Sequence, residues 1–161
     1  MEKIMITLIA VCFILTGCFS IQTENQSNLK KENESIPSER ENKLILELVT
    51  ATLQAAGIEM FEEKLENDWV LNNVMPNRFS VSRPDVKEAY KEYISIYVYK
   101  SEKARIEGFN DFNKQKEKYD MSIPNIYQHK NVLLLYWYNE TVDNAENAKF
   151  NKQIEMAIQK M

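Results

Sequence analysis

Residues 132–138 read Val-Leu-Leu-Leu-Tyr-Trp-Tyr, a run that is apolar on both faces of an extended chain. A strand with one wet face shows a polar residue at every second position, so this run predicts a central strand buried on both sides. Pro124-Asn125 punctuates the chain ahead of Ile126-Tyr127-Gln128. That segment is expected to pair with the central strand as a hairpin, through a turn at His129-Lys130-Asn131. A second long strand is predicted over 93–99, where Ile94, Ile96 and Val98 alternate with Tyr93, Ser95, Tyr97 and Tyr99. One of its faces is aliphatic and the other is lined by tyrosines.

Helical spacing accounts for much of the remainder. Leu44, Ile45, Leu48, Val49, Thr52, Ala55 and Ala56 recur at the period of a helix, and Gly57 stands where a left-handed C′ residue ends one. Leu46 and Leu53 fall on a different face of that helix, to be covered by a loop or the following strand, or else to form a partner-binding seam. Ser101 is placed to cap a second helix reaching about Tyr119, with Ala104, Gly108, Phe112 and Tyr119 on one face and Phe109 beside them. Glycine costs about 1 kcal/mol relative to alanine in a helix, so Gly108 on the apolar stripe predicts close helix–sheet packing. Asp143 is expected to cap a third helix carrying Phe150, Ile154, Ala157, Ile158 and Met161 at helical spacing. Shorter strands are expected at 69–71 and 79–82, around the turn-prone Asn72-Asn73, with another beginning near 58–61. Residues 85–91 read as one helical turn or a polar connection. The whole predicts an α+β fold, an antiparallel or mixed sheet with about three helices packed mainly on one face, in a single domain over 43–161.

Composition removes most familiar chemistries. The 161 residues include three Gly, standing apart at positions 17, 57 and 108, so no glycine-rich phosphate cradle can form. Two Cys and one His are too few for a zinc site of the usual kind, and no cofactor or metal is expected. His129 is placed in a surface turn, with no nucleophile or orienting carboxylate assigned to it. The net charge of −4, with no basic block beyond Lys30-Lys31, argues against a nucleic-acid partner. Glu59, Glu62, Glu63, Glu66 and Asp68 form the most acidic stretch, but the calcium-loop pattern is missing and a solvated face is the simpler reading. The aromatic residues are the more suggestive set. Tyr93, Tyr97 and Tyr99, with Trp137, Tyr136 or Tyr138 from a neighbouring strand, would make a binding wall if exposed; the alternative is cross-strand pairing beneath a helix.

At the amino terminus Met1-Glu2-Lys3 is followed by an apolar run from Ile4 to Leu15 and then by Leu15-Thr16-Gly17-Cys18. This is the layout of a secretory signal peptide. Its last four residues resemble the lipobox of bacterial lipoproteins. The resemblance implies cleavage after Gly17, a diacylglycerol on the Cys18 thiol and a mature chain starting at Cys18, with residues 1–17 discarded. A diacylated cysteine holds a chain on a membrane, where a single acyl chain would bind only marginally. Two other readings stay open: an uncleaved membrane anchor, since no charge separates Lys3 from Glu24, and a signal peptide cut elsewhere. Cys12 would leave with the signal peptide, so the exported chain would hold no thiol for a disulfide.

Residues 18–42 are rich in Ser, Asn, Gln, Glu and Lys and read as a disordered tether with a reach of about 25 to 30 Å, or as a segment that orders on a partner. The abundance of Lys, Glu, Asn and Ile resembles proteins of AT-rich Gram-positive bacteria. That implies the outer face of the cytoplasmic membrane. The run Ile96-Tyr97-Val98-Tyr99-Lys100-Ser101-Glu102-Lys103, with Asn131-Val132-Leu133-Leu134, resembles small Bacillus-type lipoproteins of unassigned role, and it carries no site with it. The expected function is a non-enzymatic binding or accessory domain, anchored to the membrane and facing an envelope protein or cell-wall component. The alternative is an envelope hydrolase working through a carboxylate pair.

Overall fold

The strands β3 (Tyr93–Val98) and β5 (Val132–Trp137) lie side by side at the middle of the molecule, paired antiparallel from Tyr93↔Trp137 to Val98↔Val132. Every residue of β3 is buried, and in β5 only Trp137 is partly open. The computed structural model describes residues 39–65, 68–119, 123–139 and 144–161. Within them β1 (Phe61–Glu63), β2 (Asn77–Ser80) and β4 (Asn125–His129) complete a five-stranded sheet of order β1-β2-β3-β5-β4, with every neighbouring pair antiparallel. The fold is α+β, and the sheet is antiparallel and not mixed.

Alternation along the two central strands produces two separate apolar layers. Ile94, Ile96, Val98, Val132, Leu134 and Tyr136 point to one face, where α1 (Glu39–Ala55) and α3 (Asn151–Ile158) supply Val49, Leu53, Ile154, Ala157 and Ile158. Tyr97, Tyr99, Leu133 and Leu135 point to the other, beneath Ala104 and Phe112 of α2 (Glu102–Lys116) and beside Leu71. Two helices thus cover the aliphatic face and a third covers the tyrosine face.

Local chemistry sets several of these elements. Ser101 caps α2 by accepting the Ala104 N–H at 3.1 Å. Gly57 follows α1 at φ +85°, the left-handed geometry a helix end wants. Gly108 faces the ring of Tyr99 so closely that a Cβ would stand 2.7 Å from Cε1 and nearer still to Cζ and Oη. The predicted close approach of helix and sheet is therefore present, at this residue. Arg105 is buried on the same helix and its Nε donates to the Lys130 carbonyl at 2.8 Å, which ties α2 to the β4–β5 turn.

Other expectations shift. Helix α1 begins at Glu39, so the domain boundary expected at 43 falls inside it. Its buried line is Val49 and Leu53, with Ile45, Leu46 and Ala56 packed alongside, while Leu44 and Leu48 are more than half exposed. The apolar stripe in the sequence is wider than the strip a sheet and one neighbouring helix can cover, and docking against α3 and β3 selects the Leu46–Leu53 side. Residues 69–71 form no strand. Leu71 bridges Val74 across Asn72 and Asn73, both at positive φ, and the Asn72 N–H donates to Asp111 Oδ2 at 2.8 Å, clamping the turn onto α2. Tyr119 lies beyond the end of α2 and is exposed, and α3 starts only at Asn151, after a 3-10 turn at Ala145–Asn147. His129 ends β4 opposite Val132, leaving Lys130 and Asn131 as the turn. The signal peptide, Gly17, Cys18, Glu66, Asp143 and the tether as far as 38 lie outside the described residues.

Leu53→Ala is expected to cost about 2 to 5 kcal/mol in urea unfolding, whereas Leu48→Ala, on the exposed side of the same helix, should change stability by no more than about 0.5 kcal/mol. Gly108→Ala should destabilise by about 1 to 3 kcal/mol despite the better helix propensity of alanine, because its methyl meets the Tyr99 ring. A neutral or stabilising result in the same assay would mean that α2 can lift off the sheet.

Candidate functional site

The tyrosine face is not a binding wall. Tyr97 and Tyr99 are fully buried and Tyr93 nearly so, and α2 with the 69–74 turn lies over that side of the sheet. The Tyr97 hydroxyl donates to the Trp69 carbonyl at 2.7 Å, and its ring stacks beside Tyr99 with centroids 6.3 Å apart. Trp137 lies 5.8 Å from Trp69 between ring centroids and gives its N–H to Ser95 Oγ at 3.2 Å. Tyr93 donates to Glu88, and the Arg78 guanidinium sits 4.2 Å from the centre of its ring. Tyr97, Tyr99 and Trp137 put a large aromatic area on one sheet face, and α2 with the 69–74 turn packs over it. The wall predicted at Tyr93, Tyr97, Tyr99 and Trp137 is therefore the cross-strand packing that was its alternative.

An opening exists on the other side of the sheet. Where β3 begins and β5 ends, a cleft of about 610 Å³ lies among Val81, Tyr90, Glu92, Asn139, Lys149 and Phe150, with Gly57, Glu59, Ser82, Arg83 and Val86 completing its lining. Its position follows from the layers. Helix α1 has ended at Gly57 and α3 has yet to start, so loops and not these helices line the opening.

Glu92 is the unusual group there, a carboxylate residue only 8% exposed. Its Oε1 accepts the Asn139 N–H at 3.1 Å, and the nearby Tyr136 hydroxyl receives the Phe150 N–H at 3.4 Å. Its backbone is held as firmly, since its N–H donates to Ser82 Oγ at 2.9 Å and its carbonyl accepts the Val81 N–H at 2.9 Å. Burial, and then the negative charge of Glu92, push the Tyr136 phenol far above its ordinary value. The hydroxyl is therefore a proton-bearing donor throughout the neutral range. A carboxylate held in this way is a fixed acceptor at the wall of a cleft, suited to receiving an N–H or O–H from a ligand.

Around it the lining is mixed. Tyr90 is more than half exposed, Phe150 and Val81 are apolar floor, and the Lys149 ammonium lies 4.5 Å above the Phe150 ring. Glu59 shares the cleft with Glu92, so two acids line one opening. Nothing in the sequence singles out Glu92, Tyr90, Asn139 or Ser82 as site residues. The only signal at Glu92 is a charged residue directly before a strand that is buried on both faces.

Compared with protein-family models, with curated proteins and with solved structures, the chain gives no match in any of the three. Among the described residues no helix is long and apolar enough to cross a membrane, and no three His, Cys, Asp or Glu side chains gather where they could hold a metal ion.

The buried phenols give a pH prediction with a definite sign. Burial raises Tyr93, Tyr97, Tyr99 and Tyr136 above the ordinary phenol value of 10.0 and pushes Tyr127 up to about 12. A group raised in the folded state contributes stability that is complete below its unfolded value and lost as pH climbs through its folded one. The domain should accordingly hold its stability up to pH 10.0 and lose it above, with tyrosinate absorbance from these residues appearing together with the loss of circular dichroism. Their ionisation well before any unfolding would contradict the packing of the tyrosine face.

Proposed function

We propose that this chain is a lipid-anchored extracytoplasmic protein whose domain binds an envelope protein or cell-wall component without acting on it chemically. The lipobox-like Leu15-Thr16-Gly17-Cys18 supports the anchor, and both cysteines of the chain precede the domain, so the folded part depends on no disulfide. The outer face of the cytoplasmic membrane is the proposed location. The observation that carries binding over hydrolysis is the state of Glu92. Its carboxylate is held by the Asn139 N–H at the wall of the cleft, where it offers a ligand a fixed acceptor. Tyr90 and Phe150 add aromatic and apolar surface beside that acceptor.

The alternative, hydrolysis through a carboxylate pair, is favoured by one feature, the presence of Glu59 in the same cleft. The two readings separate on substitution. Glu59→Gln keeps the size and hydrogen-bonding capacity of the side chain, so a binding domain should retain its cellular role, while a hydrolase should lose it with fold intact.

The anchor has its own test. Cells grown with labelled fatty acid should incorporate label into the wild-type chain and not into Cys18→Ala, and the variant should leave the membrane fraction. Label that survives the substitution would overturn the anchor and leave the cleft reading in place.

A further inference from the structure

The two edges of the sheet differ in how they are protected. Edge strand β1 has three residues, two of them Glu62 and Glu63, and Lys91 lies 3.6 Å from the Glu63 carboxylate. Short length and charge are the usual devices against further pairing. Edge strand β4 has five residues, Asn-Ile-Tyr-Gln-His, with no Lys, Arg, Asp or Glu among them. Among the described residues it pairs with β5 alone.

The free side of β4 can be read from the hairpin. A two-residue turn at Lys130 and Asn131 makes His129↔Val132 a hydrogen-bonded pair, and the alternation continues to Tyr127↔Leu134 and Asn125↔Tyr136. Ile126 and Gln128 therefore direct their N–H and C=O groups away from β5. Among the described residues no hydrogen bond reaches those backbone groups from another element.

We infer that β4 pairs with β4 of a second copy of this chain, antiparallel about Tyr127, joining two five-stranded sheets across a two-fold axis. The strand is its own complement in this register. Ile126 stands opposite Gln128 of the second copy and Gln128 opposite its Ile126, so four N–H···O=C bonds form and all outward groups of both residues are used. A slip of two residues toward the start of β4 would set the Gln128 carbonyl against Pro124, which has no N–H. A slip the other way would bring Ile126 against Lys130, which is in the left-handed turn at φ +46°. The side chains agree with the same register. Tyr127 meets Tyr127 in a pair where side chains lie close, and the polar Asn125 comes opposite the polar His129. The corresponding pairing of β1 would set Glu62 against Glu62.

The test is amide hydrogen exchange of the full-length chain, kept reduced, over a series of concentrations, with sedimentation velocity on the same samples. The amides of Ile126 and Gln128 should slow by about tenfold or more from dilute to concentrated samples as a dimer forms, while those of β3 and β5 stay protected throughout. Gln128→Pro removes one outward N–H that the β4–β5 ladder does not use, and Arg105 keeps the Lys130 carbonyl and Glu102 as partners, so the variant should sediment as a monomer with β5 still protected. Where that variant fails to fold, the exchange series on the wild type decides alone. Exchange of both amides at the rate of exposed loops at every concentration would overturn the pairing. So would a Gln128→Pro dimer as tight as the wild type, or protection that appears only when another protein is added.

Discussion

The antiparallel pair of β3 and β5 is the constraint on which the rest of the molecule depends. Both strands are dry on both faces, so apolar cover is required above and below the sheet at the same place. Helices α1 and α3 meet the requirement on the aliphatic side, and α2 with the 69–74 turn meets it on the tyrosine side. No cysteine stands within residues 39–161, so this burial takes the place of covalent staples. A fully buried Leu, Ile or Phe contributes about 1.5 to 3 kcal/mol, and Ile94, Ile96, Leu133, Leu134 and Leu135 are all at that limit in two adjacent strands.

The two layers have different chemistry and different tolerance. The aliphatic layer is filled by branched side chains from several elements, and loops flank it where α1 has ended and α3 has not begun. The cleft beside Glu92 lies among those loops. The tyrosine layer is set by one close contact, the bare Cα of Gly108 over the ring of Tyr99, whose own hydroxyl is buried without a hydrogen-bond partner among the described residues, and by two hydroxyls that do find acceptors. Tyr97 finds the Trp69 carbonyl and Tyr93 finds Glu88, so the turn and the polar connection are bound to the sheet by the same aromatics that form its core.

Polar groups near the ends of the sheet give the molecule its asymmetry. At the β3 start, Ser82 and Asn139 hold the backbone and the carboxylate of the buried Glu92. At the β4 edge, backbone groups face outward from a strand without charge, whereas β1 is short and acidic. A ligand at the first place would meet side chains, and a chain at the second would meet backbone.

Much of the fold was legible because it rests on short-range patterns. The strand over 93–99, the double-faced run at 132–138, the Ser101 cap, Gly57 after α1 and the tight place at Gly108 each follow from residue type and spacing within about one turn or one strand. The candidate site was not legible, because Glu92, Tyr90 and Asn139 come together only when β3 and β5 align, and nothing local distinguishes Glu92 from any charged residue ahead of a strand. For the same reason the alternation in β3 established that tyrosines share a face but could not say whether that face was wet, since the answer lies with α2. In α1 the apolar positions announced a helix and left its orientation to α3 and the sheet, which reach only the Leu46–Leu53 side. What the sequence determined by itself were the elements and their polarity, which depend on neighbours along the chain. What the tertiary structure alone decided was which apolar faces are covered and where they are not, because burial is a property of the elements that arrive from elsewhere.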